Sequence, residues 1–241
     1  MKLAHLVSAI KYFNSSLKKK EITFYSEGRQ NFPFLESLID CLLKENHKIS
    51  YLASSNNDPA KHIKSLNFNF YMIGNGFSRS WLFKNLKTKI MIMTVPGLET
   101  TQLKKSRYRV HYIYIQHSLA SLHGIYPKGS FDHFDTVFCS TPYHIKEMKK
   151  IKTIFHLKSI NIIEHGYPRI ESLKKQLKTF KHQKISKKNI LIAPSWGNNC
   201  LIESKIIFKL LENLLKAGYN VTLRPHPETF KSSETILKKI K

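Results

Sequence analysis

Acidic residues are scarce in this chain. Over 241 residues there are 16 Asp+Glu against 40 Lys+Arg, a formal net charge of +24. A field of that sign favours polyanions: nucleic acid, anionic headgroups or phosphate-rich substrates. Arginine is also sparse (Arg29, Arg79, Arg107, Arg109, Arg169, Arg224), so most of the charge is lysine. A general coding preference for lysine accounts for much of it without any partner, and the few guanidinium forks are the better candidates for bidentate anion contacts. The three cysteines, Cys41, Cys139 and Cys200, are odd in number and far apart. That excludes a disulfide framework and zinc spacing, and reads as reduced, mostly buried thiols of the cytoplasm. No apolar run reaches the eighteen or so residues of a membrane span. Residues 1–5 lack the long apolar stretch and cleavage site of a signal peptide. Neither a GxGxxG fingerprint nor a Walker loop occurs, and no HExxH, paired carboxylates or Ser/His/Asp signature stands out.

What is present is alternation. Apolar, β-branched or aromatic runs at 22–26, 47–53, 68–73, 89–95, 110–116, 136–140 and 159–164 predict strands. Segments at 34–44, 59–66 and 79–86 predict helices, the first from Leu35, Leu38, Ile39, Leu42 and Leu43 at helical spacing. Thr141 followed by Pro142 is a helix start. This order predicts an α/β fold with a mostly parallel sheet covered on both faces. No internal repeat is visible. Lys, Gln and Ser dominate 173–188, which places a boundary there: a Rossmann-like first domain at 1–185, and the start of a second Rossmann-like domain at 186–241. In the second, strands are expected at 189–193 and 219–224 and a helix at 202–217, stopped by Gly218. A basic helix follows from about Ser232. Two strands and two helices bury too little for an independent domain, so the second domain reads as incomplete and the chain as C-terminally truncated.

The chemistry concentrates where strands end, because open α/β sheets take ligands outside the carboxyl ends of their strands. Gln116-His117-Ser118 ends one strand, and Ser118, Ser121, His123, Gly124 and Lys128 continue it as an open polar loop. A neutral imidazole there can take a proton from an alcohol; the competing reading is a structural histidine at a strand end. Arg224-Pro225-His226-Pro227 ends another strand, its prolines stiffening the backbone around one imidazole and one guanidinium, a fit to phosphate against the alternative of a plain rigid turn. Ala193-Pro194-Ser195-Trp196-Gly197 suits a phosphate or ribose cradle. Gly166-Tyr167-Pro168-Arg169 follows a strand too, and turn chemistry alone explains its Gly and Pro. Glu27-Gly28-Arg29-Gln30 is a polar first loop suited to anion or acceptor binding.

In succession, Gln116-His117, Gly166-Tyr167-Pro168-Arg169, Ala193-Pro194-Ser195-Trp196-Gly197 and Arg224-Pro225-His226-Pro227 resemble the CDP-glycerol glycerophosphotransferase family. These are the polymerases and primases of teichoic-acid-type poly(glycerol phosphate) in the bacterial cell envelope. The resemblance spans roughly residues 20–230. It implies a GT-B-like architecture of two Rossmann-like domains, an acceptor-side domain first and a donor-binding domain second. It implies transfer of glycerol phosphate from CDP-glycerol to a hydroxyl of a surface polymer or its lipid-linked primer, with release of CMP. No cofactor and no obligatory metal are implied. His117 is then the candidate base, with His226 beside it in catalysis. Arg224, His226 and Ser195 fall on the donor phosphates, and Arg29, Arg169 and Gly166 are further site candidates. One departure is His117-Ser118, where many members have His-Gly.

The expected partners are CDP-glycerol, a polyanionic or lipid-linked acceptor and the anionic inner face of the cell membrane, with the protein cytoplasmic and peripheral. Because family contacts to cytidine and ribose fall in sequence that is missing, weak donor binding and negligible turnover are expected of these residues alone. Two rivals stay open. One is a GT-B glycosyltransferase of surface polysaccharide using a nucleotide sugar; the other is a non-catalytic basic anion-binding protein. Specific nucleic-acid binding is not expected, since Tyr and Phe fall in apolar strands rather than on a basic face.

Overall fold

The computed structural model describes residues 2–157, 159–179, 188–197, 199–226, 229–232 and 237–238. The chain forms two compact units, Met1–Thr179 and Phe180–Lys241. The first opens with helix α1 (Lys2–Phe13) and continues β1 (Ile22–Ser26), α2 (Phe32–Lys44), β2 (Ile49–Ala53), β3 (Phe68–Met72), α3 (Phe77–Lys84) and β4 (Ile90–Met93). Then come β5 (His111–Ile115), the short α4 (Leu122–Ile125), β6 (Thr136–Cys139), α5 (Pro142–Ile154), β7 (Asn161–Glu164) and α6 (Pro168–Thr179).

The seven strands make one sheet in the order β3-β2-β1-β4-β5-β6-β7, and every pairing is parallel. This is the doubly wound order of Rossmann-type sheets with a strand added at one edge. Alternation along each strand divides the core between two faces. On one face Tyr25, Leu52, Tyr71, Met91, Met93, Tyr112, Tyr114 and Val137 meet Ala9 and Tyr12 of α1, Leu82 and Phe83 of α3 and Met148 of α5. On the other, Phe24, Tyr51, Ile92, Ile113 and Ile115 meet Phe32, Leu35 and Ile39 of α2. Burying one such side chain contributes about 1.5–3 kcal/mol. A strand covered on both faces has no polar side, which is why these segments are near-continuous apolar runs.

Several expectations are met in detail. The Thr141 hydroxyl accepts from His144 N at 3.2 Å and caps α5, with Pro142 in its first turn. Others are corrected. The helix expected at 59–66 is a single 3-10 turn, Pro59–His62, which the Asp58 side chain caps by accepting from Ala60 N. Ile63 is already extended, and Leu66 stands fully exposed, so the segment has no apolar face to hold a longer helix against the sheet. The next helix begins two residues earlier than expected, at Phe77 after Gly76 at φ 91°. The thiols are not mostly buried either: Cys139 is, Cys200 is half-buried and Cys41 is exposed. α1 was not legible as a core element, although it places Ala9 and Tyr12 at 0% exposure.

The second unit contains β8 (Asn189–Ile192), α7 (Ile206–Lys216), β9 (Asn220–Leu223) and the short α8 (Thr229–Ser232). β8 and β9 pair in parallel, which makes β8-α7-β9 a crossover unit. Ile202 and Ile207 are buried beneath it. Gly218, at φ 81°, follows α7 as expected: its missing Cβ admits the left-handed turn that ends a helix. α8 begins at Thr229 rather than near Ser232. The remainder of the expected final helix (233–236, 239–241) and of the expected linker (180–187) lies outside the described residues, as do Asn198 and Pro227.

Candidate active site

β5 runs fully buried through Tyr112, Ile113, Tyr114 and Ile115 and surfaces at His117. The ring of His117 is half-buried among aromatics, not displayed in an open polar loop. Phe34 of α2 lies edge-on at 5.8 Å between centroids, Tyr114 at 6.3 Å and Tyr126 at 6.4 Å. The residues after it, Leu119 to Ser121 and His123 to Ile125, are exposed as the polar-loop reading expected.

The hydrogen bonds assign the imidazole its working nitrogen. Tyr114 Oη donates to Tyr126 Oη at 3.1 Å and lies 3.3 Å from Nδ1 of His117. A phenol has one proton, so a Tyr114 that donates to Tyr126 can only accept from His117. Nδ1 therefore carries the proton, and the lone pair sits on Nε2. Among the described residues Nε2 has no partner, and it is not among the buried polar atoms closed off from water. Burial pushes the His117 pKa below its ordinary 6.5, which keeps the ring neutral at neutral pH. Burial and the neighbouring Tyr126 raise Tyr114 well above 10, so that link of the chain stays protonated.

Two of the sequence motifs meet here. Gly166 adopts φ 82° and turns the chain from β7 into α6. Tyr167 then donates its hydroxyl to the His117 carbonyl at 3.3 Å, across 50 residues of sequence, and packs on Phe34 at 5.5 Å. Arg169 holds its guanidinium 5.8 Å from the Phe34 ring. Phe34 is thus the shared wall of His117, Tyr167 and Arg169. Arg29, in the exposed turn before α2, is not brought into contact with them. Gln116 has 0% exposure, and neither atom of its carboxamide has a partner among the described residues. An unpaired buried amide costs about 1–3 kcal/mol, and such groups mark sites shaped for something other than stability. Its main chain is secured at both ends, N to Phe138 O at 3.1 Å and O from the Ser140 hydroxyl at 3.2 Å.

In the second unit, the loops after β8 and β9 emerge side by side because the two strands are paired in register. Arg224 N donates to Ile192 O at 2.8 Å, and the Arg224 side chain is exposed. Trp196 stacks on His226 with centroids 5.8 Å apart and planes 23° from parallel. Ser195 is exposed, and Gly197 turns at φ 106°. The motifs carrying Ser195, Arg224 and His226 therefore share one end of this small sheet. Sequence reasoning assigned no role to Tyr114, Tyr126, Phe34 or Trp196. Only Trp196 carried a signal, as the large aromatic inside a loop of small and polar residues.

Among the described residues no group of three or more His, Cys, Asp or Glu is placed to hold a metal ion, and no helix is long and apolar enough to cross a membrane. No curated protein matches the chain. The family model for CDP-Glycerol:Poly(glycerophosphate) glycerophosphotransferase matches residues 7–239, covering both compact units and every motif described above. A strand-end histidine poised as a base, on a Rossmann-type sheet, agrees with a group transfer to a hydroxyl. The chain belongs to the CDP-glycerol:poly(glycerophosphate) glycerophosphotransferase family.

Proposed function

We propose that this chain transfers glycerol phosphate from CDP-glycerol to a hydroxyl of a teichoic-acid-type surface polymer or its lipid-linked primer. The observation that carries the reading is His117, with Nδ1 committed to Tyr114 and Nε2 unpartnered. The acceptor hydroxyl attacks the β-phosphorus of the donor as Nε2 takes its proton. A new P–O bond forms, the bond from that phosphorus to the bridging oxygen breaks, and CMP leaves. Arg224, His226 and Ser195 hold the donor diphosphate and balance the charge that builds on it, a preorganised electrostatic role. Arg169 meets acceptor phosphates, aided by Arg29, and Gly166 sets the turn that delivers Tyr167 and Arg169. In this scheme 1–185 is the acceptor-side domain and 186–241 belongs to the donor-binding domain of a GT-B-like enzyme.

The test is CMP release from CDP-glycerol with a poly(glycerol phosphate) primer as acceptor. Release that requires both, and that nucleotide sugars neither replace nor inhibit, is the expected result. Turnover of a nucleotide sugar instead would assign the chain to polysaccharide synthesis.

The charge of +24 supports a second element of the proposal, residence at an anionic membrane surface. The protein should sediment with vesicles containing anionic lipid and not with zwitterionic ones. Raising the ionic strength from about 0.01 M to 1 M, which contracts the screening length from about 30 Å to about 3 Å, should release it. Retention at high salt, reversed only by detergent, would mean an apolar anchor instead.

A further inference from the structure

β1 pairs with β2 on one side and β4 on the other, so the chain winds away from the β1–β4 boundary in opposite directions. In doubly wound sheets that boundary is the switch point where ligands bind. At the carboxyl end of these strands an open cleft of about 700 Å³ is lined by Glu27, Asn75, Gly76, Arg79, Ser80 and Gln102. They come from the loops after β1, β3 and β4 and from α3, and none takes part in the His117 cluster.

The floor of this cleft is Arg79, 6% exposed and already engaged. Its Nη1 donates to Tyr25 Oη at 3.1 Å, Glu27 Oε1 at 3.2 Å and Asn75 Oδ1 at 3.1 Å, and its Nη2 to Gln102 Oε1 at 2.7 Å. A phosphate seeking this guanidinium would have to displace the carboxylate of Glu27. The consequence lies on the rim. Asn75 and Gln102 each turn their carboxamide oxygen to Arg79, which leaves both NH2 groups as donors without a partner among the described residues. Both residues are exposed, and so is Glu27, whose second oxygen remains an acceptor. The half-buried Ser80 adds a hydroxyl that both donates and accepts. In a chain of net charge +24 this is a locally balanced cleft with alternating donors and acceptors.

We propose that the cleft is a subsite for the vicinal hydroxyls of a polyol, read as an uncharged group. Resting on the transferase reading above, the polyol is a glycerol unit of the acceptor chain, held away from the reacting hydroxyl.

The test is titration of the full chain, following the side-chain NH2 resonances of Asn75 and Gln102 by NMR. Erythritol and a short glycerol phosphate oligomer should both shift them, and inorganic phosphate should not. A response to inorganic phosphate alone, or to neither polyol, overturns the proposal. In steady-state assays Ser80→Ala and Gln102→Ala should raise the acceptor KM about fivefold each, as for one neutral hydrogen bond, with the donor KM unmoved. Equal change in both constants counts against a polyol subsite. Should Gln102→Ala fail to fold with Arg79 less well held, the wild-type titration still decides. Polyol-dependent shifts in a chain that never turns over CDP-glycerol would sink the transferase reading and keep the subsite. Transfer without such shifts would do the reverse.

Discussion

His117→Ala should lower the rate of acceptor-dependent CMP release by about 10²–10⁴-fold, the usual contribution of a positioned general base. The fold should survive, because His117 caps the end of β5 while the sheet core is built from Tyr112, Tyr114, Ile113 and Ile115. Circular dichroism of the variant therefore controls for structure. The pH dependence supplies a second reading. Protonation uses the Nε2 lone pair, so activity is present above the His117 pKa and is lost as pH falls through it. Burial holds that pKa below 6.5, so the acid limb of kcat/KM should lie below pH 6.5 in the wild type and vanish with the residual rate of His117→Ala. Tyr114→Phe separates positioning from chemistry. It removes the acceptor for Nδ1–H and frees the ring to take the other tautomer, so kcat should fall about fivefold, as for one hydrogen bond, with the donor KM little changed. An alanine variant that is folded and still releases CMP at the wild-type rate would remove His117 from catalysis.

Arg224→Ala should raise the donor KM about 10–100-fold. One charge-assisted hydrogen bond to a phosphate contributes about 1.5–3 kcal/mol, and each 1.4 kcal/mol is a factor of ten. Stability should barely move. The side chain is exposed, and the structural bond at this position is made by the main chain, Arg224 N to Ile192 O. Arg224→Lys keeps the charge but not the planar fork, so it should restore part of the affinity and not all of it. Equilibrium binding of CDP-glycerol to the three proteins measures this directly. Identical affinities would place the diphosphate elsewhere. His226→Ala should act on the same ligand, and its stacking on Trp196 makes Trp196→Ala the control for whether the ring must be held in that plane.

Sequence alone determined the order of elements and the places where chemistry could occur. A parallel sheet covered on both faces needs strands with no polar side. Runs such as 110–116 and 89–95 are therefore visible without coordinates, and helix starts such as Thr141-Pro142 are local hydrogen-bond chemistry. The strand-ending motifs were legible for the same local reason: a loop holding His, Arg, Pro and Gly at a strand end has no use in a core. What surrounds them was not. Tyr114 and Tyr126 are ordinary apolar-run residues until the loop after α4 returns Tyr126 to β5, and only then does a count of protons set the tautomer of His117. Phe34 reads as the first residue of an amphipathic helix, yet it is the wall against which His117, Tyr167 and Arg169 are packed. Arg79 carries no motif at all. Its neutralisation by Glu27, and the donors this leaves on Asn75 and Gln102, depend on loops after β1, β3 and β4 converging at one end of the sheet. Local spacing encodes periodicity and caps, whereas burial, pKa and the direction of a hydrogen bond are properties of neighbours distant in sequence, and tertiary structure alone selects those neighbours.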